Sequence, residues 1–205
     1  MEDRNYLSDI HEIKDLMNRS TQFISLSGLS GVLAGIYALI GAFFAHSALG
    51  SREFTSDNSR VFENDTFLRI VFIAAIVLLL SIGTAFVLTY RKAEKQGEKI
   101  WNGTSRRMIV NFLIPLCTGG IFSIILLRNQ YYNLIGPVML IFYGLACVNA
   151  SKYTLRDVRY LGITMVLLGL IASEFWIYGL EFWALGFGVC HIIYGSIMHF
   201  KYDRN

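Results

Sequence analysis

Apolar residues in this chain run in long blocks rather than alternating, and the blocks have the length of membrane-crossing helices. Thr21–Ser51, Ile70–Tyr90, Met108–Leu127 and Asn129–Ser151 contain no Asp, Glu, Lys or Arg. Tyr160–Phe200 contains only Glu174 and Glu181, near its middle, and is long enough for two spans. A helix needs roughly 20 apolar residues to cross ~30 Å of hydrocarbon. The pattern predicts an all-α polytopic membrane bundle of six transmembrane helices, at residues 22–48, 67–90, 108–127, 131–151, 159–177 and 181–200. Residues 21–200 then form one membrane domain, flanked by an N-terminal arm, 1–20, and a short tail, 201–205.

Orientation follows from the cations between the blocks. Arg4, Lys14 and Arg19 precede the first span, and Arg91, Lys92, Lys95, Lys99, Arg106 and Arg107 fill the second loop. Lys152, Arg156 and Arg159 lie in the fourth loop, and Lys201 and Arg204 in the tail. Only Arg52, Arg60, Arg69 and Arg128 of the 18 Lys and Arg residues fall elsewhere. Short loops rich in Lys and Arg stay in the cytoplasm, so both termini are expected on the cytoplasmic side. The net charge of +3 is then a consequence of topology. No basic block accompanies a nucleic-acid-binding motif, and no direct nucleic-acid binding is expected.

Charged residues make up 16% of the chain, below the ~25% of soluble domains, which leaves no room for a separate soluble domain. The first span follows some twenty mostly polar residues and is too long for a signal-peptide core, so it is expected to remain in the mature protein. Cys117, Cys147 and Cys190 all fall inside expected spans without CxxC spacing, and read as small buried hydrophobes.

The arm is amphipathic. Tyr6, Ile10, Ile13 and Met17 recur at helical spacing, with Ser8 as N-cap. The arm is either a helix resting on the membrane surface or a docking helix for a cytoplasmic protein, with Ile10, Ile13 and Met17 as its contact face.

In the first span Gly28, Gly31, Gly35, Ala38, Ala42 and Ala45 recur three and four residues apart, a stripe of small side chains on one face. Small residues let helix backbones approach closely in lipid. The stripe is expected to pack inside the monomer, with a homo-oligomer contact as the alternative. The only two prolines, Pro115 and Pro137, lie in the third and fourth spans. Pro115 leaves the carbonyl of Asn111 without its helical donor. With Thr118, Gly119 and Gly120 nearby, this region is either a small polar cavity or a kink whose polar groups bond to neighbouring helices.

Ionisable groups within the blocks are few. Glu174 and Glu181 are the carboxylates nearest the apolar core, and such groups mark ion or proton paths in membranes. Glu174 nevertheless lies ~21 Å beyond Tyr160 at 1.5 Å per residue, close to the outer surface, and Glu181 suits the start of a helix. His46 and His191 differ in depth by roughly 15 Å, which disfavours a haem held by both. His191 alone is a candidate hydrogen-bonding or proton-relay group. No HExxH, GxSxG, phosphate-binding loop or paired-aspartate motif occurs, and neither catalytic residues, a metal nor a cofactor is expected.

The run Arg19-Ser20-Thr21-Gln22-Phe23-Ile24-Ser25-Leu26-Ser27-Gly28-Leu29-Ser30-Gly31, continuing through Ala34-Gly35-Ile36-Tyr37-Ala38-Leu39-Ile40-Gly41-Ala42, resembles the first span of bacterial membrane proteins of Bacteroidota type. The resemblance covers about 25 residues and implies no catalytic residues. It implies a regulatory role beside small winged-helix regulators. The expected function is a non-enzymatic regulatory or partner-binding protein embedded in the bilayer. A small transporter or ion- or proton-conducting protein, using Asn111, Thr118, Glu174, Glu181 or His191, is the alternative. A membrane-embedded enzyme ranks third.

Overall fold

The computed structural model describes residues 26–49, 64–97 and 100–203. The arm with Ile10, Ile13 and Met17 lies outside these residues. Helix α1 spans Gly28–Leu49, α2 Asn64–Lys95 and α3 Gly103–Arg128. A 3-10 turn, Tyr132–Leu134, leads into α4, Ile135–Ala150, and α5 follows at Asp157–Glu174. The chain then forms one rod: a 3-10 turn at Trp176–Tyr178, α6 at Gly179–Trp183, a π-helical stretch at Ala184–Cys190, α7 at His191–Met198 and a π-helical turn at His199–Asp203. Among the described residues there is no β-strand.

The fold is all-helical, and five helices are long and apolar enough to cross a membrane: Gly28–Leu49, Leu68–Lys95, Gly103–Arg128, Tyr132–Ala150 and Trp176–Asp203. The segment expected at 159–177 is α5. It holds Asp157, Arg159 and Glu174 within 18 residues, leaving a charge-free stretch from Tyr160 to Ser173 that rises roughly 21 Å. Length and charge set α5 apart from the other five.

Helix ends follow local chemistry. Asn102 caps α3 by accepting from the Ser105 amide at 2.7 Å, while Ser105 Oγ takes the Asn102 amide at 3.0 Å, a reciprocal capping box. Lys92 and Lys95 end α2, where cations suit the negative end of the helix dipole. Gly97 follows with φ of +66°, a conformation open to glycine at little cost.

Packing runs as a row: α2 lies on α1, α1 on the C-terminal rod, and α4 against both α5 and α3. The α4–α5 crossing is reciprocal. A side chain at Gly144 would lie 2.6 Å from the Gly162 carbonyl, and one at Gly162 would lie 2.6 Å from the Gly144 carbonyl. Val166 and Val148 close the two sides of that contact. Leu140, Leu161, Met165 and Ala172 form the core between α4 and α5, with Phe182 and Phe187 of the rod packed onto them. Facing outward are Phe43, Phe72, Leu79 and Phe86, each at least 65% exposed, as lipid-facing side chains must be. Cys147 is buried and Cys190 half-buried, but Cys117 is exposed. The expectation that all three cysteines are buried is corrected at Cys117, which α3 leaves exposed.

Candidate functional site

His191 begins α7 where the π-helical stretch ends, and it is 7% exposed. Its Nδ1 lies 3.1 Å from the Gly186 carbonyl, which can only accept, so Nδ1 carries the proton. Nε2 is then the acceptor for the Tyr143 hydroxyl of α4, 2.8 Å away. Phe187 stacks on the imidazole with centroids 5.8 Å apart, and meets the Tyr143 ring at 5.0 Å. Phe112 of α3 meets Tyr143 edge-on at 5.9 Å. Glycine at 186 leaves room for Leu140, whose side-chain end a Cβ there would have to displace.

This cluster joins α4 and the rod through one polar chain, and Phe112 of α3 belongs to the aromatic wall around it. Both imidazole nitrogens are committed, so a metal or haem iron would have to displace Tyr143 or Gly186. Among the described residues no three His, Cys, Asp or Glu side chains converge to hold a metal ion.

The other expected path residues lie apart from His191. Asn111 donates from Nδ2 to the Arg107 carbonyl at 2.8 Å, and Thr118 donates to the Ile114 carbonyl at 2.8 Å. Thr118 is exposed. The carbonyl of Asn111 accepts from Asn149 Nδ2 of α4 at 2.9 Å. Glu174 and Glu181 are both exposed, at the end of α5 and in the first turn of α6. One surface groove is lined by Gly103, Arg106, Arg107, Val110 and Asn111, and another by Phe175, Tyr178, Glu181, Phe182 and Leu185. His191 and Thr118 line neither.

The three glycines of the small-residue stripe face the C-terminal rod. A Cβ on Gly28 would collide with the His199 amide, on Gly31 it would sit 3.2 Å from Gly195 Cα, and on Gly35 2.6 Å from the Gly188 carbonyl. Gly41, beside the stripe, faces α2 instead: a Cβ there would lie 2.5 Å from Val77. Ala38, Ala42 and Ala45 are buried on the same helix.

Sequence reasoning missed a second polar cluster, at the C-terminal turn. Asp203 takes Lys92 Nζ at 2.7 Å, the Gly28 amide at 3.0 Å and His199 Nδ1 at 3.0 Å. Asp157 takes Lys201 Nζ at 2.9 Å and the Tyr202 hydroxyl at 2.7 Å. Partial burial pushes the Asp157 carboxyl up, but the bonds from Tyr202 and Lys201 outweigh it and hold the group below its ordinary value. His199 and Asp203 are one helical turn apart, but Lys92 and Gly28 are far from Asp203 in sequence, as Asp157 is from Lys201 and Tyr202, and no local pattern pairs them.

The described residues thus form an all-helical fold with five helices long and apolar enough to cross a membrane and a buried histidine–tyrosine link. No family model, curated protein or solved structure matches the chain.

Proposed function

We propose that this is a six-span protein of a bacterial inner membrane, with both termini in the cytoplasm, that regulates or binds a cytoplasmic protein rather than performing catalysis. In this reading α5 supplies the sixth span, its short apolar stretch extended by Phe175–Tyr178. The cation distribution supports the orientation. The resemblance to Bacteroidota-type membrane proteins is part of the same proposal, and the arm bearing Ile10, Ile13 and Met17 is its docking element.

The observation that carries the reading is how the polar groups in the spans are used. Asn111 and Thr118 bond back to their own helix, and His191 bonds to Gly186 and Tyr143. The Tyr143–His191 bond ties α4 to the rod, and the others close within their own helix. Conduction would need these groups aligned along one water-accessible path.

Flux through reconstituted vesicles tests this. The full chain in liposomes should pass protons, potassium and sodium no faster than protein-free liposomes. A flux that His191→Phe abolishes would replace the regulatory reading with conduction.

A further inference from the structure

Two carboxylates divide the C-terminal turn His199–Asp203 between the two sides of the bundle. Asp157 holds Lys201 and Tyr202 on the start of α5. Asp203 faces the other way, to Lys92 of α2 and to the Gly28 amide that opens α1. Lys92 also donates to the Leu26 carbonyl at 3.0 Å. The Gly28 amide is one of the first-turn donors that no carbonyl of its own helix can serve, and a carboxylate there suits the helix dipole. The side chains of Lys92 and Asp203 are 13% and 10% exposed, so solvent and salt screen their attraction only weakly.

The helices that meet at this point are held very differently. Gly144 and Gly162 interlock α4 with α5, and Gly35 and Gly188 bring α1 against the rod. Helix α2 packs chiefly on α1 and none of its apolar membrane window is buried, while Ala93, next to Lys92, is buried at the clasp itself. It is 32 residues long, roughly 48 Å, so its last turns project beyond ~30 Å of hydrocarbon to reach Asp203. Elements with little buried surface open locally before the rest of a fold does.

We propose that Lys92 and Asp203 form a clasp whose opening releases the C-terminal end of α2 and uncaps α1, while Asp157 keeps the C-terminal turn on α5. The clasp is a conformational control point at the place where residues 1–25 lead into α1. It goes beyond the docking reading and does not depend on it. His199, on the same turn, donates to the carboxylate from Nδ1 and so helps to aim it at Lys92.

Hydrogen–deuterium exchange on the full chain in lipid nanodiscs tests the clasp. Lys92→Met and Asp203→Asn should each speed exchange at residues 88–97 by about tenfold, the scale of losing one bond to a charged group. Exchange at the α4–α5 crossing, residues 140–148 and 162–169, should stay unchanged. Lys201→Met should leave α2 as protected as in the native chain, and Lys92→Arg should retain protection. Unchanged exchange at residues 88–97 in both clasp variants overturns the proposal. Equal acceleration throughout the bundle, or loosening of α2 by Lys201→Met, overturns it as well.

Discussion

Asn149 donates its side-chain amide to the backbone carbonyl of Asn111 across the α3–α4 contact, at 2.9 Å. That carbonyl lies four residues before Pro115, which has no N–H to offer it. The proline creates an unpaired acceptor inside α3, and an asparagine on the neighbouring helix fills it. A broken intrahelical bond is thereby converted into an interhelical one. In hydrocarbon, where no water can serve a carbonyl, this exchange favours one pairing of helices.

The pair should behave as a thermodynamic unit. Asn149→Leu is expected to lower stability in detergent by roughly 0.6–1.7 kcal/mol, the range of interhelical hydrogen bonds in membranes. In a Pro115→Ala background the restored amide can serve Asn111, so the same substitution should cost much less. Thermal unfolding of the four members of this cycle measures the coupling. Equal losses in both backgrounds would show that Asn149 acts independently of the proline.

Close backbone approach makes the first span sensitive to added volume. Gly35→Leu should destabilise the bundle far more than Leu39→Ala, because a side chain at residue 35 would enter the space of the Gly188 carbonyl. Leu39→Ala only uncovers Gly188, against which the leucine packs. Thermal stability of Gly35→Leu equal to that of the native chain would remove close packing as the role of this glycine.

Topology has its own test. Reporter fusions after Lys99, Ser151 and Asn205 should report cytoplasm, and fusions at Asp57 and Asn129 the opposite side. Fusions at Ser151 and Asn205 on opposite sides of the membrane would mean that α5 and the rod do not form a pair of spans.

The helical class was legible from the charge-free blocks, because hydrocarbon admits few structures besides apolar helices. α5 was harder to assess, since its charges stand at both ends and leave the shortest apolar stretch. The spacing of Pro115 pointed to the Asn111 carbonyl, but its donor, Asn149, is 38 residues away and emerges only when α3 meets α4. His191 was legible as an unusual residue, whereas Tyr143 and the π-helical stretch that bring it a partner are consequences of tertiary packing. Lys92 and Asp203 are separated by 111 residues, and each reads in sequence as an ordinary charge at a membrane edge.

The central claim is that the protein acts by docking a cytoplasmic partner, while the polar groups within the spans are used up in bonds within and between helices. Its most direct test is recovery of a cross-linked cytoplasmic partner with the full chain from membranes, repeated after paired substitutions. Ile13→Asp with Met17→Asp should release the partner while every span stays inserted, because charges cannot fill an apolar groove. Replacing Asn111 and His191 with apolar residues should leave the partner bound. Retention of the partner by the Ile13→Asp, Met17→Asp chain would contradict the account.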